Sequence, residues 1–309
     1  MWTKLGLVFD AAKHANHEWF SNSALTPQPF RLNDETIRVF AGFRDAEGVS
    51  RIGFVDIASG DPSRILRVSK TPVLDIGRDG CFDDNGVIMG DVVKTPSGVY
   101  LFYVGFQLVK KAKFLAFSGV ALSEDGGETF HRLSESPILE RDRFQSTIGA
   151  IHTARYENGI WRLWFARGDG WEMINGVPYP QYHICYTETK DLLNIPRSAI
   201  TCVEAVRPEY RIGRPKVYQI ADGSYVMYAT KGTISGEYTP SFFRSIDGIK
   251  WERDDLSLGI APSESGWDSE TLCYPTLISD DNRTLMIYNG NKMGLNGFGA
   301  AVGNQIVLA

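Results

Sequence analysis

Hydrophobic and polar positions follow one pattern in five segments of the chain. Each segment begins with a short apolar run, passes through a turn rich in Asp, Asn, Ser or Gly, and ends in an aromatic-rich run. The segments start at Pro27, Gly90, Ile151, Pro215 and Pro275. Turn residues between two apolar runs are typical of β-hairpins. The pattern therefore predicts five repeated hairpins, with no helical periodicity between them.

A fixed offset from these starting points always falls on a large aromatic residue: Phe40, Tyr103, Trp164, Tyr228 and Tyr288. A third apolar run follows each hairpin, as in SRIGFVDI and FSGVALS, and most segments continue with a turn and a fourth run. Four-stranded units that repeat around an axis form a β-propeller. We predict an all-β fold, a five-bladed β-propeller with four-stranded blades, as one domain over residues 1–309. The predicted blades are approximately 15–65, 66–138, 139–200, 201–258 and 259–309.

The N-terminal run TKLGLVFD is expected to complete the last blade. The fifth segment ends soon after its third apolar run, so one strand is missing there. A strand from residues 1–10 would pair with the open edge, and an unpaired edge is a liability for a sheet. Asp10 belongs to this closing strand and is expected to be structural.

Two turns carry a recognisable acidic motif. SEDGGETF, from Ser123 to Phe130, matches the Asp-box pattern Ser-x-Asp-x-Gly-x-Thr-aromatic, and SIDGIKW, from Ser245 to Trp251, is a degenerate copy. An Asp side chain in such a turn satisfies backbone N–H groups. The motif therefore predicts a structural turn and not a site of chemistry.

Composition narrows the class of protein. The 309 residues are 43% hydrophobic, and the formal net charge is −5, which argues against a broad nucleic-acid-binding surface. No apolar run approaches the length of about 20 residues that spans a bilayer, so we expect a cytoplasmic protein without a membrane segment. The four Cys are far apart and no His pair has metal-binding spacing. We expect reduced thiols, no metal and no cofactor, and the oligomeric state stays open.

Candidate chemistry collects in the loops that one face of a propeller would share. These are the loops that precede the first strand of each unit and those between its second and third strands. The residues CFDDNGVIMG and GWDSETLCYP are two such loops in matching register, with Asp83 aligned to Asp268. The candidate substrate-binding residues are Arg44, Asp45, Asp83, Asp91, Asp169, Trp171, Glu172, Arg214, Lys231, Tyr274, Asn289 and Asn291.

The predicted catalytic residues are Asp84, Glu270 and His152. Carboxylates and amides bond sugar hydroxyls, Arg binds in a bidentate manner, and aromatic faces pack on the C–H surface of a sugar. Glycoside cleavage uses two carboxyl groups, one protonated and one ionised. Each candidate also has a structural interpretation: loop capping for Asp83 and Asp84, and turn chemistry for Asp45. For His152 and Trp171 it is burial in the core.

The motifs FDDNGV, SEDGGETF, GRPKV and GWDSETLCYP, with the later MIYNGNKMGLNGFGAAV, resemble those of a bacterial family related to five-bladed propeller glycosidases. The related groups are glycoside hydrolase families 32, 43, 117 and 130. The resemblance covers nearly the whole chain. It implies a propeller fold and chemistry on sugars, with a small-molecule sugar or glycan as the partner.

The chain departs from the pattern of these hydrolases. They usually carry acids in the first and second units and a Glu in the third. Here no acid lies near Pro27, Asp83 and Asp84 match the second unit, and His152 stands where the third-unit Glu is usual. Family 117 is similar in part, because a His is thought to act as the acid there. Glu270 has no counterpart in the usual set.

Several functions are compatible with these residues. The leading prediction is a glycoside hydrolase acting on a small glycoside or oligosaccharide. The first alternative is a glycoside phosphorylase, or an enzyme that acts on an activated sugar in surface-polysaccharide metabolism. The second is a non-catalytic carbohydrate-binding propeller, which the incomplete set of acids favours. The sugar, its linkage and the stereochemical outcome stay open.

Overall fold

The computed structural model describes residues 1–15, 17–280, 283–304 and 306–309, and within them the fold is all-β. The strands are β1 (Thr3–Asp10), β2 (Asn22–Asn33), β3 (Thr36–Arg44), β4 (Ser50–Ala58), β5 (Ile65–Val68), β6 (Val87–Thr95), β7 (Gly98–Val109), β8 (Ala112–Ser123), β9 (His131–Arg132), β10 (Ile148–Glu157), β11 (Ile160–Ile174), β12 (Val177–Thr189), β13 (Ile200–Val203), β14 (Glu209–Gln219), β15 (Tyr225–Thr233), β16 (Tyr238–Ser245), β17 (Glu252–Arg253), β18 (Cys273–Asp280), β19 (Arg283–Asn289) and β20 (Gly297–Gly303). Two four-residue helices, α1 (Ala11–His14) and α2 (Asn291–Gly294), and one 3₁₀ turn (Asp255–Ser257) complete the elements of the described residues.

Most strands are hydrogen-bonded to the strands that precede and follow them in the sequence. One sheet has the order β1-β20-β19-β18 and another has β2-β3-β4-β5. The remaining strands form one path from β17 to β6, in which β9 pairs with β8 and β13 with β12. The pairs β2–β3, β6–β7 and β10–β11 are antiparallel, as sequence neighbours joined by short turns are.

The chain divides into two compact units. The first contains residues 1–73, 217–229 and 238–309, and the second contains residues 74–216 and 230–237. The core of the first unit includes a cluster around Phe9, Phe20, Phe43 and Phe298. The core of the second includes a cluster around Trp161 and Phe165.

The repeat register is confirmed by burial. The five aromatic residues at the shared offset lie on β3, β7, β11, β15 and β19, and each is at most 1% exposed. They are Phe40, Tyr103, Trp164, Tyr228 and Tyr288. The predicted third runs are also strands, namely β4, β8, β12, β16 and β20. The side chain at this repeat position is therefore buried in all five hairpins.

The predicted N-terminal strand is confirmed with the same bounds, Thr3–Asp10. It pairs antiparallel with β20, from Thr3 opposite Val302 to Asp10 opposite Gly297. Asp10 is structural, since its carboxylate caps α1 by accepting a hydrogen bond from the Ala12 N–H.

Both acidic turns are structural, as predicted. Asp125 accepts hydrogen bonds from the Glu128 and Thr129 N–H groups and from the Ser123 and Thr129 hydroxyls. Although burial acts to raise its pKa, these bonds, led by that from Ser123, lower it. Asp247 in the degenerate copy accepts from the Ile249 and Lys250 N–H groups in the same way.

Two further turns share the arrangement, which sequence analysis missed. A Ser or Thr followed two residues later by Asp ends the third strand of four groups, at Asp61, Asp125, Asp191 and Asp247. Asp61 accepts from the Ser63 N–H and Asp191 from the Leu193 N–H. The shorter pattern Ser/Thr-x-Asp was the available signal, because the Gly and aromatic positions of the full motif are absent there.

Replacing Asp125 by Ala is expected to lower the free energy of unfolding by about 1 kcal/mol, because the turn loses its N–H acceptor. Since the pKa of Asp125 is lowered in the fold, this contribution is present at neutral pH. It is lost as the carboxylate protonates in acid. Urea unfolding at pH 7 measures it. The control is Glu124→Ala, at the adjacent exposed position, which is expected to change stability by less than about 0.5 kcal/mol. Equal stabilities of the two variants would contradict the structural role.

One predicted loop is instead a hairpin. The segment from Ala166 to His183 was expected to be a long connection, but β11 extends to Ile174 and β12 begins at Val177. Only Asn175 and Gly176 form the turn, both with positive φ. Asn-Gly favours a two-residue hairpin turn of this kind, so the dipeptide was the missed signal.

Candidate functional site

The loop before β18, in the first unit, is fixed by a buried acid. Asp268 is 2% exposed and accepts hydrogen bonds from Lys4 Nζ at 2.7 Å and from the Tyr288 hydroxyl at 3.0 Å. Burial, and next the charge of Asp268, raise the pKa of Tyr288. Trp267 stacks on the Tyr288 ring with centroids 5.1 Å apart. Asp268 therefore shapes the loop.

Glu270 lies at the exposed end of this loop. Its backbone N–H donates to Asn291 Oδ1 at 2.8 Å, and the Thr271 N–H donates to the same oxygen at 3.1 Å. The Asn291 amide in turn donates to the Gly266 carbonyl at 3.0 Å. Asn291 thus holds the backbone that carries Glu270, and the Glu270 side chain faces solvent in the first unit.

The loop before β6, in the second unit, is built in the same way. Asp83 is fully buried and accepts from Arg132 Nε at 2.8 Å. Phe82 stacks on Tyr103 with centroids 5.9 Å apart. Burial, and then the Asp83 charge, raise the pKa of Tyr103.

The two loops confirm the sequence alignment of Asp83 with Asp268. Each loop places an aromatic–Asp dipeptide against the repeat-register tyrosine and pairs the Asp with a cation. A buried carboxylate requires such partners. The geometry supports an architectural role for Asp83, and its substrate contact stays a prediction.

Asp84 follows as a half-buried residue. Its Oδ2 accepts from the Gly80 N–H at 3.0 Å, and its own N–H donates to the Cys81 carbonyl at 3.3 Å. The capping interaction that sequence analysis weighed against catalysis is therefore present. It occupies one carboxylate oxygen, and the side chain is still reachable by solvent.

In each of the five repeated hairpin segments, the second residue is polar. In the second unit these residues are Asp91 on β6, His152 on β10 and Lys216 on β14. The first unit contributes Gln28 and Thr276. The ladder register is interrupted beside this position at Met89/Asp91 and Ile151/Thr153. A bulge redirects a side chain, which explains how consecutive groups present a polar residue at one repeat position.

Asp91 and Lys216 form a buried ion pair. Lys216 Nζ lies 3.3 Å from Asp91 Oδ1 and donates to the Gly90 carbonyl at 2.6 Å. Asp91 also accepts from the Ala154 N–H at 2.9 Å. Burial raises the pKa of Asp91 against the effect of Lys216, and burial lowers the pKa of Lys216. The pair joins β6, β10 and β14, and the predicted substrate contact of Asp91 stays a prediction.

His152 is 4% exposed. Its Nδ1 makes no hydrogen bond to any residue in the described parts of the chain. Burial, and then the positive charges of Arg214 and Lys216, hold the pKa of His152 well below its usual range. The imidazole is therefore neutral near pH 7, so it is poorly suited to be the acid that the family-117 resemblance suggests.

Arg214 is half-buried in the middle of β14, with left-handed backbone at φ +54°. Its Nη1 donates to the Met89 carbonyl at 3.4 Å. Thr26 and Tyr274 have the same backbone conformation, and each of the three residues directly precedes a proline. Such backbone is costly for a non-Gly residue, so its repetition indicates a position that the fold holds firmly.

Four further candidates of the second unit lie on strands. Lys231 Nζ is 3.7 Å from Glu209, a buried acid that sequence analysis did not single out. Glu172 accepts from Arg207 at 2.9 Å and from Gln181 at 2.8 Å, and the Arg207 bond lowers its pKa. The other two are Asp169, which is exposed on β11, and Trp171, which is half-buried on the same strand.

Two candidates of the first unit are tied into the fold. Asp45 accepts from the Val49 N–H at 2.9 Å and from Arg51 at 2.7 Å, so it closes the turn after β3. Asn289 is fully buried, accepts from the Thr26 N–H and donates to two backbone carbonyls. Their side chains stabilise the first unit, and their substrate contacts stay predictions.

Of the two remaining first-unit candidates, Tyr274 is buried and Arg44 is half-buried. The Tyr274 hydroxyl donates to that of Tyr238 at 3.2 Å, and the two rings meet edge to face. Arg44 is half-buried at the end of β3. The structure therefore groups Asp91, His152 and Arg214 within the second unit, and Glu270 and Asn291 within the first. Sequence analysis did not predict three partners of other candidate-loop residues: Lys4 of Asp268, Arg132 of Asp83 and Tyr238 of Tyr274.

Neither a metal site nor a membrane span is found in the described part of the chain. Among residues 1–15, 17–280, 283–304 and 306–309, no group of three His, Cys, Asp or Glu side chains is arranged to hold a metal ion. Across the same residues, no helix has the length and apolar character needed to cross a membrane.

Solved structures of carbohydrate-active proteins share this fold. A structure described as "Glycoside hydrolase" has a TM-score of 0.71 at 17% identity, covering 99% of this chain and 93% of its own. Another comes from "The GH130 family of mannoside phosphorylases contains glycoside hydrolases that target beta-1,2 mannosidic linkages in Candida mannan". It has a TM-score of 0.68 at 14% identity, covering 99% and 94%. The likeness establishes a fold that glycoside hydrolases also have.

Sequence comparison places the chain in a family. No family model matches it. The Mycobacterium tuberculosis H37Rv protein described as "Uncharacterized protein Rv1502" is 30% identical over 312 residues, which cover 97% of this chain and 98% of that protein. The chain belongs to the same family as that mycobacterial protein.

Proposed function

We propose that the protein is a five-bladed β-propeller. The blades are the strand groups β2–β5, β6–β9, β10–β13 and β14–β17, and β18–β20 with β1. The buried aromatic residue at one offset in each group supports this assignment, as does the pairing of β1 with β20. Repetition of one packing position is typical of an architecture built from equivalent units.

We propose further that the protein is a glycoside hydrolase that acts on a small glycoside or oligosaccharide. The observation that carries the proposal is the likeness to a glycoside hydrolase structure over 99% of the chain. Fold alone does not determine function. The proposal therefore also depends on the accessible carboxylates of Asp84 and Glu270, which lie in the loops preceding β6 and β18.

The proposal assigns each candidate a role. Asp84 and Glu270 are the candidate catalytic carboxylates. Because His152 is held neutral, we assign it a hydrogen bond to the substrate or proton acceptance, and not proton donation. Asp83, Asp268 and Asn291 position the loops that carry the two carboxylates.

Turnover by the unmodified protein tests the proposal. The protein is incubated with a panel of nitrophenyl glycosides and short oligosaccharides, and the products are separated chromatographically. Release of a free sugar is expected for at least one member, with no need for phosphate. Binding without any product across the panel would favour a carbohydrate-binding propeller instead.

A glycoside phosphorylase is the second candidate, and the cationic groups of Arg214 and Lys216 near His152 favour it. A phosphorylase transfers the glycosyl group to inorganic phosphate, so the product is a sugar phosphate. The same panel is therefore run with and without phosphate. Product formation that requires phosphate would select the phosphorylase, and phosphate-independent release of sugar would select the hydrolase.

A further inference from the structure

His152 carries a buried polar atom without a partner among the described residues. The ring is 4% exposed, and Nδ1 has no hydrogen bond there. A buried nitrogen left unpaired is energetically costly, so native structures seldom retain one without a reason. A ligand that forms a hydrogen bond with Nδ1 would therefore supply the missing partner.

The surroundings of His152 are cationic. Arg214 and Lys216 are the charged groups that act on the imidazole, and both are positive. Lys216 is engaged by Asp91 and by the Gly90 carbonyl. Arg214 is half-buried, with Nη1 on the Met89 carbonyl. The positive charge of Arg214 acts on His152, so an anion that approaches the imidazole meets a positive field.

We propose that Arg214 and His152 bind an acidic group of the sugar substrate, either a carboxylate or a phosphate ester. The inference depends on the proposed action on glycosides and names the class of sugar. The guanidinium presents planar donors that match the oxygens of such a group. A neutral imidazole with its proton on Nδ1 donates to one further oxygen. The left-handed backbone at Arg214, followed by Pro215, fixes the point from which the arginine extends.

Direct binding of small acidic probes tests this site. Isothermal titration of the full-length protein uses glucuronate, galacturonate, glucose 1-phosphate and inorganic phosphate, each at up to 10 mM, with glucose and galactose as neutral controls. At least one acidic sugar is expected to bind more tightly than its neutral counterpart. Binding of inorganic phosphate alone, without any acidic sugar, would overturn the assignment to the substrate and favour a phosphate co-substrate.

Two variants with the same change in charge localise the binding. Arg214→Gln is expected to raise the Kd of the acidic sugar about tenfold or more, because a charge-assisted bidentate contact is lost. Lys94→Gln removes a cation from an exposed position on β6 and is expected to leave that Kd within about twofold. Equal effects of the two variants would overturn the site, and so would failure of every acidic sugar to bind.

The outcome is separable from that of the proposed function, because the readout is binding and not turnover. Turnover of a neutral glycoside by the unmodified protein, with no binding of any acidic sugar, would retain the hydrolase and reject the acidic-group site. Tight, Arg214-dependent binding of an acidic sugar without turnover on the glycoside panel would retain the site and reject the hydrolase.

Discussion

Turnover of a cleavable glycoside is expected to fall about a thousandfold in either of two variants, Asp84→Asn and Glu270→Gln, with little change in stability. Positioned acids and bases contribute roughly 10²- to 10⁴-fold to a reaction rate, and an amide neither ionises nor donates a proton as a carboxyl group does. The amide oxygen introduced by Asp84→Asn can still accept from the Gly80 N–H, and Glu270 is exposed. Initial rates at saturating substrate, together with the melting temperature, measure both effects.

Controls for this prediction lie in the same loops. Asp79→Asn removes an exposed acid five residues before Asp84, and Glu264→Gln removes one six residues before Glu270. Both controls are expected to retain turnover within about threefold. Full activity in Asp84→Asn or Glu270→Gln would remove that residue from catalysis. A loss of activity that follows a loss of melting temperature would assign it a structural role.

The largest loss of stability is expected from Asp56→Ala, at about 3–5 kcal/mol. Asp56 is 3% exposed and lies opposite Arg38, which is fully buried. Two hydrogen bonds join them, from Arg38 Nε at 2.8 Å and from Nη2 at 3.0 Å. Arg67 approaches the same carboxylate at 3.1 Å, and both guanidinium groups lie over the Phe54 ring. Without Asp56, a fully buried cation loses its bidentate counter-charge.

Guanidinium-induced unfolding of wild type and variants measures this loss. Asp34→Ala changes an exposed acid in the turn between β2 and β3 of the same strand group and is expected to cost less than about 0.5 kcal/mol. Stability of Asp56→Ala within about 1 kcal/mol of wild type would show that Arg38 finds other compensation. Asp56→Asn keeps the shape of the side chain, so it separates the lost charge from the lost volume.

Strands and turns were predictable because their determinants are local. The run TKLGLVFD matched β1 with its observed bounds, and the Asp-box residues identified the turn at Asp125. The aromatic register identified one residue in each hairpin, and all five are buried. In each case the information lies within a few residues of chain, where hydrophobic periodicity and side-chain-to-backbone bonds act.

The failures concern strand length and distant partners. Asp169 and Glu172 were placed in a loop because polar residues obscured the strand alternation, although Asn175–Gly176 marked the turn. The pairing of Lys4 with Asp268 joins residues 264 positions apart, and no local pattern encodes such a contact. The amide of Asn289 binds backbone at Thr26, Ala24 and Gly297, which are partners that the sequence did not predict, and its sugar contact stays a prediction. The sequence shows that a buried polar side chain requires hydrogen-bond partners, but it does not show which residues they are.

The pairing of β1 with β20 has a consequence for synthesis. Residues 3–10 are synthesised about 290 residues before their partners at 297–303. At about 5–20 residues per second, β1 therefore waits roughly 15–60 s with an unpaired, partly apolar edge. That interval is when the nascent chain is most exposed to wrong pairing. A chaperone that shields this segment would act before β20 is available to pair with it.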